Sequence, residues 1–249
     1  MCSSDLTSRV LRTPKLSSVA HFLFRQFFRV TLSNENLVIR LSTMISLTNS
    51  CLSQFFRFVG RRFFAKQTAA TVKAIQVRSL GSKRYLSADL NELFVALVVA
   101  EDRRFFNHCG VDFRGIVRAA LAYILKRNIQ GASTITQQLV RVVVNDYRFS
   151  FQRKLKEMCI AAEVDSIIDK RSQAELYLLL GYYGWRMNGL TAAKERLSIS
   201  FPCSTAQAVQ LVARLKYPEP KYFSVNQTKK IDRRAAHILN LISEHPHGF

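Results

Sequence analysis

An apolar run that ends in two carboxylates places the tightest limit on how this chain can fold. Leu93–Ala100 contains no polar residue and leads directly into Glu101 and Asp102. Asp89 and Glu92 have the spacing of a capping box, which predicts a buried helix that begins just before the run and ends at the two acids. Because apolar surroundings destabilise an ionised carboxyl group, an acid in this position is suited to accept a proton during catalysis. Pairing with the two arginines that follow directly is the alternative.

A short turn-like stretch, Gly131–Ser133, precedes a second predicted helix. Ser133 is expected to cap this helix, which is expected to run from Thr134 to about Asn145. Helical spacing places Thr134, Gln138 and Arg141 on one polar face. It places Ile135, Leu139 and Val142 on a neighbouring face suited to the core. The polar face carries no acid, so it favours a polyoxygenated anionic ligand, and simple exposure to solvent is the alternative.

Two motifs in these stretches resemble those of the peptidoglycan glycosyltransferases of family 51. The pattern E-D-x-x-F-x-x-H-x-G, formed by Glu101, Asp102, Phe105, His108 and Gly110, is similar to the family's first motif. The stretch G-A-S-T-I-T-Q-Q-L at residues 131–139 is similar to the second. The family includes the glycosyltransferase modules of bifunctional penicillin-binding proteins and stand-alone monofunctional transglycosylases.

The resemblance continues with decreasing strength toward the end of the chain. Arg153, Lys154 and Glu157 resemble the third motif, although Arg153 and Glu157 at i and i+4 also fit a surface ion pair. Residues 170–193 resemble the fourth motif through Lys170, Glu175 and Tyr177. Residues 206–222 resemble a degraded fifth motif. Leu179 and Val142 stand where the family usually has asparagine.

Helical periodicity recurs after residue 81, and no strand alternation stands out, so a mainly α fold is expected. The resemblance implies a lysozyme-like, two-lobed helical domain. We place this glycosyltransferase domain at residues 81–249 and a basic, aromatic-rich segment at residues 1–80.

The segment of residues 1–80 is predicted to associate with a membrane surface. The chain has 37 Lys and Arg against 17 Asp and Glu, a net charge of +20, which implies an anionic partner. The uncharged stretch at residues 41–56 is 16 residues long. That is short of the roughly 20 needed to span a bilayer. Interfacial binding of aromatic and basic side chains to anionic lipid is therefore expected rather than a spanning helix. Cys109 and Cys159 are expected to be packed thiols.

The resemblance implies the polymerisation of lipid II into glycan strands, with loss of lipid pyrophosphate. Glu101 would be the general base. Glu157 would be a second catalytic carboxylate, which either holds the neighbouring cations or assists through a divalent metal. Arg141, Arg153 and Lys154 would bind diphosphate, and Thr134 and Gln138 would position donor oxygens. Asp102, Phe105 and His108 complete the predicted substrate-binding set, with Asp102 and His108 orienting the loop that carries Glu101.

The implied partners are lipid II, the growing glycan strand and an anionic membrane, with other cell-wall synthesis proteins as further candidates and no nucleic acid. No cofactor is assigned, and a divalent cation, Mg²⁺ or Mn²⁺, at the diphosphate is left open. The implied location is the bacterial cytoplasmic membrane, with the catalytic domain on its outer face.

Two other functions remain open from the sequence. One is a lysozyme-like lytic enzyme, although a neutral glycan offers no diphosphate for the cations to bind. The other is a catalytically impaired relative that binds lipid II or membrane, which the departures at Val142 and Leu179 favour.

Overall fold

The computed structural model describes residues 50–82, 90–126 and 131–244 and is mainly helical, which confirms the predicted fold class. The helices are α1 (residues 50–63), α2 (Ala65–Ser82), α3 (Asn91–Glu101), α4 (Phe113–Lys126), α5 (Ile135–Val144), α6 (Phe151–Asp165), α7 (Lys170–Leu180), α8 (Leu190–Arg196), α9 (Thr205–Lys216) and α10 (Val225–Glu244). A short 3₁₀ turn spans Phe105–Asn107. The antiparallel strands β1 (Tyr182–Gly184) and β2 (Met187–Asn188) form a small hairpin that the sequence did not predict.

The main core lies where α3 packs against α7, α9 and α10, and where α5 packs against α6 and α7. Helix α3 has a buried apolar surface along its length, including Leu93, Leu97 and Val98. Ile135 and Leu139 of α5 are fully buried, and Val142 packs against the same cluster, as their spacing predicts. Burial of these side chains places the ends of α3 and α5 next to each other.

The caps of α3 and α5 differ from the predicted ones. Leu90 is the N-cap of α3 and makes no side-chain cap hydrogen bond. Asp89 lies outside the described residues, and Glu92 instead accepts a hydrogen bond from Thr205 Oγ1 at 2.6 Å. On α5 the cap is Thr134 rather than Ser133, because the Thr134 hydroxyl accepts from the backbone N–H of Gln137. On α6 the cap is Ser150, whose hydroxyl accepts from the backbone N–H of Arg153.

Helices α1 and α2 lie almost entirely within the predicted basic segment of residues 1–80. Helix α2 packs against α5, α6 and α7. On α1, Arg57 and Arg61 bind the nearly buried carboxylate of Glu163 in α6, with Arg61 Nη2 2.7 Å from Oε1. Residues 1–49 of the segment lie outside the described residues. Within the described ranges, no helix has both the length and the hydropathy to cross a bilayer.

The two cysteines singled out in the sequence have different surroundings. Cys159 is fully buried in a small second cluster beneath α1, which confirms its assignment as a packed thiol. Burial raises the pKa of its thiol to about 11. Cys109 is exposed, so the same prediction for Cys109 is wrong.

Gly110 is the position in the first motif where only glycine fits. Its φ of +78° lies in the left-handed region, and an added Cβ would lie 2.5 Å from the carbonyl oxygen of Ala161. Any other residue would be strained at this φ, and its Cβ would clash with the backbone of a buried helix. Both effects oppose substitution.

We expect Gly110→Ala to lower the free energy of unfolding by about 2 kcal/mol or more, because strain and a backbone clash act together. Urea denaturation followed by circular dichroism measures the change. Gly131→Ala is the matched control, since nothing lies within 4 Å of a Cβ built at Gly131. Equal losses for the two variants would show that the close approach to Ala161 does not matter.

Candidate active site

Asp102 connects the loop after α3 to the start of α5. Its Oδ2 accepts a hydrogen bond from the backbone N–H of Ile135 at 3.1 Å and lies 2.9 Å from His108 Nε2. The hydroxyl of Thr134 donates to the carbonyl of Gly110 at 2.7 Å. All of these side chains are buried. The first and second motifs are therefore one structural unit, with a carboxylate at the positive end of a helix.

Phe105, His108 and Thr134 support this unit from inside the protein rather than from its surface. Phe105 has no exposed surface and lies beneath Lys170, whose Nζ is 4.7 Å from the ring centroid. Lys170 Nζ also donates to the carbonyl of His108 at 2.8 Å and pairs with Asp165. The predicted loop-orienting role fits Asp102 and His108. Phe105 and Thr134 also support the loop, because their side chains are buried and do not lie on an open surface.

Glu101 sits at the end of α3 with 16% of its side chain exposed, so a ligand can reach it. Its Oε2 accepts from Gln138 Nε2 at 3.2 Å, and its Oε1 accepts from Arg234 Nη2 at 3.0 Å. Tyr177 donates its hydroxyl proton to Gln138 Oε1 at 2.7 Å, which turns the amide nitrogen of Gln138 toward Glu101. Burial raises the pKa of Tyr177 well above its ordinary value, so the phenol remains a donor.

Glu157 of α6 is the centre of a cation cluster formed by Arg141, Arg153 and Lys154. Arg141 binds it with two parallel hydrogen bonds of 3.0 Å. Arg153 Nη1 lies 2.5 Å and Lys154 Nζ 2.6 Å from the same carboxylate. Glu157 is 3% exposed, whereas Arg141 and Lys154 are about 30% exposed. Three cations share one acid, so the cluster keeps a net positive charge and presents it outward.

The ionisation of this cluster follows from burial and close charges. Burial raises the pKa of Glu157, but the hydrogen bond from Arg141 and the charge of Lys154 outweigh it, so the pKa lies below its ordinary value. Burial lowers the pKa of Lys154, and the attraction of Glu157 offsets only part of this. Glu157 therefore stays ionised and accepts hydrogen bonds with both oxygens, which suits it to hold cations rather than to accept a proton.

The donor set does not fit a resident metal ion. Within the described ranges, no three histidine, cysteine or carboxylate side chains converge as ligands. Both oxygens of Glu157 already accept from cationic donors.

Helix α5 joins the Glu101 site to the cation cluster. Gln138 contacts Glu101 and Arg141 contacts Glu157, and the two residues are separated by about 4.5 Å along the helix axis. The structure thus brings Glu101, Gln138, Arg141, Arg153, Lys154 and Glu157 to one region. It places a carboxylate that can accept a proton within reach of a positively charged surface.

Three residues of this region had no role predicted from the sequence. Arg234 lies 133 residues from Glu101, and no local pattern connects the two. Gln137 is buried and accepts from Lys154 Nζ, while its own Nε2 has no partner among the described residues. Tyr177 matches the fourth motif, and its place in that motif is the sequence signal that could have indicated its contact with Gln138.

The chain belongs to the transglycosylase family, whose sequence profile matches residues 70–243. Over 131 residues it is 37% identical to a monofunctional glycosyltransferase of Staphylococcus haemolyticus. The matched stretch covers 51% of this chain and 47% of that protein. Over 109 residues it is 38% identical to penicillin-binding protein 1A of Rickettsia typhi. That stretch covers 42% of this chain and 14% of that protein. The chain thus matches less than half the length of each of these relatives.

Proposed function

We propose that this chain is a peptidoglycan glycosyltransferase that polymerises lipid II into glycan strands. The observation that carries the proposal is the position of the Glu101 carboxylate, one turn of α5 away from the net-positive cluster around Glu157. Joining sugars from a lipid diphosphate donor needs a proton acceptor and cations for the departing diphosphate, and these two parts supply them.

In the proposed reaction the 4-hydroxyl of the acceptor sugar attacks the anomeric carbon of the growing donor chain. The bond from that carbon to the diphosphate oxygen breaks, with inversion, and Glu101 takes the hydroxyl proton. Arg141, Arg153 and Lys154 stabilise the negative charge that develops on the diphosphate. The buried Arg153 Nε and Gln137 Nε2, which have no acceptor among the described residues, are further donors beside this cluster.

We further propose that the chain works on the outer face of the bacterial cytoplasmic membrane, where a polyprenyl substrate lies. Two surfaces support this. On α1, Phe58 and Phe63 are two-thirds exposed, and Arg62, which makes no ion pair among the described residues, lies over the Phe63 ring where it can bind acidic lipid. On α4, Tyr123 and Ile124 are 61% and 71% exposed, which is unusual for apolar side chains on a helix facing water.

Glu101→Gln should reduce polymerisation of labelled lipid II by at least about a hundredfold, because the amide keeps the shape but cannot accept the proton. Binding of lipid II should persist. Glu195→Gln is the matched control, since Glu195 is an exposed acid on α8. If the Glu101 variant polymerises at a near-normal rate, Glu101 is not the base. If the parent binds lipid II but gives no polymer, the chain is a binding-only relative.

Replacing Arg141 or Lys154 by Ala should weaken lipid II binding by roughly tenfold to a hundredfold, since a hydrogen bond from a charged donor contributes about 1.5–3 kcal/mol. Binding of a phosphate-free glycan should change little. Arg148→Ala is the control, because Arg148 is 80% exposed and pairs with Asp146 nearby. Equal losses for lipid II and the glycan would assign the cluster to structure alone.

Arg234→Gln should slow polymerisation by about tenfold or more with little change in lipid II binding, because Glu101 loses the guanidinium that holds one of its oxygens in place. The neighbouring exposed Arg233, replaced by Gln, provides the control. A variant that loses thermal stability and lipid II binding along with its rate would mean that Arg234 only stabilises the fold.

A further inference from the structure

The hairpin of β1 and β2 carries a second cluster of cations, which the proposed reaction does not use. Its loop is Trp185 and Arg186, and Trp185 is the one tryptophan of the chain. Three cations lie over its ring: Arg186 at 4.4 Å, Arg196 at 5.2 Å and Lys221 at 5.9 Å from the ring centroid. They come from the hairpin loop, the end of α8 and the segment after α9, so the fold assembles them from three separate places.

The backbone holds this arrangement in place. The N–H of Trp185 donates to the carbonyl of Glu219 at 2.9 Å, and the N–H of Glu219 donates to the carbonyl of Tyr183 at 2.9 Å. These bonds attach the hairpin to the segment that carries Lys221. The backbone segments that carry Trp185, Arg186 and Lys221 are therefore held next to each other, and we call Trp185 and its three cations the platform.

The three cations have no acid to neutralise them. Among the described residues, Arg186, Arg196 and Lys221 take part in no ion pair, and all three are exposed. The nearby Arg214, in contrast, pairs with Glu219 at 2.8 Å. Like charges brought this close repel one another, so an arrangement of this kind favours the binding of an anion.

Arg186 also occupies a backbone position that is unfavourable for a residue with a side chain. Its φ is +59°, in the left-handed region. The other two positive-φ residues of the hairpin region, Gly184 and Gly189, are glycines, which adopt such angles without cost. A tight hairpin turn uses this conformation, and glycine would adopt it without strain, so the turn itself does not require an arginine at this position.

We propose that Trp185, Arg186, Arg196 and Lys221 form a docking site for an acidic peptide segment of a partner protein. Arginine forks bind carboxylates with two parallel hydrogen bonds. Because each cation lies within 6 Å of one centroid, the cluster spans less than about 12 Å, the length of three to four extended residues. The exposed rings of Tyr222 and Phe223 adjoin Lys221 and offer apolar contacts to the same peptide.

A lipid surface suits this site less well than a peptide. The Trp185 ring is half-buried and covered by cations, so it cannot enter an apolar phase without removing those charges from water. Exposed apolar side chains without a cation over them also lie on α1 and α4, Phe58 and Ile124 among them.

The fluorescence of the single tryptophan reports directly on the site. A glutamate-rich hexapeptide titrated into the full chain should give a saturable change in Trp185 emission. A triple variant, Arg186→Gly with Arg196→Gln and Lys221→Gln, should bind it about tenfold more weakly. The control removes the same charge from exposed positions of α10: Lys229→Gln, Lys230→Gln and Arg233→Gln. Equal weakening in the two triple variants, or no saturable change, would overturn the proposal.

Arg186→Gly alone separates binding from folding. If Arg186 serves binding, the glycine variant should be at least as stable as the parent, because the strain at φ +59° is relieved, and it should bind the peptide less tightly. A loss of stability with unchanged peptide affinity would contradict the proposal. Vesicles of anionic lipid and inorganic phosphate complete the test. A stronger response to either one, abolished by the cluster variants, would replace the peptide by that ligand.

Discussion

The Asp102 carboxylate is the interaction on which the arrangement of the site depends. It accepts the first backbone N–H of α5 and lies against His108, and both partners are buried. An unpaired carboxylate in this place would be costly, whereas the N-terminus of a helix offers both hydrogen-bond donors and a favourable dipole. Through this contact the end of α3, where Glu101 lies, is fixed to the start of α5, the helix that carries Gln138 in its middle and Arg141 in its last turn.

A second carboxylate, Glu157, governs the charge of the site. Three cations gathered without an acid would repel one another, and one buried acid reduces that repulsion without removing the net positive charge. The attraction of these cations keeps the pKa of Glu157 low despite its burial. Because its oxygens are engaged by Arg141, Arg153 and Lys154, Glu157 acts as a positioning residue for the proposed diphosphate-binding groups. Glu101 in contrast remains open to a ligand.

The fold class and the main members of the site could be predicted from the sequence because they lie in short, dense stretches. Helical spacing correctly gave the core face of α5, and Gln138 and Arg141 lie where it places them. The spacing of residues predicts on which side of a helix a side chain lies but not how deeply it is buried. The burial of Thr134 and Phe105 could therefore not be predicted. Arg234 could not be found, since its contact with Glu101 depends on how α10 packs against α3.

The departures at Val142 and Leu179 are also explained by packing. Both side chains are partly buried against the main apolar cluster, so each contributes apolar surface where the family usually has an amide. An amide at either place would need hydrogen-bond partners within that cluster. The polar groups that act on Glu101 and Glu157 come instead from Gln138, Arg141 and Arg234, which neither substitution touches directly. The two residues therefore change the support of the site and leave Glu101 and the cations around Glu157 in place.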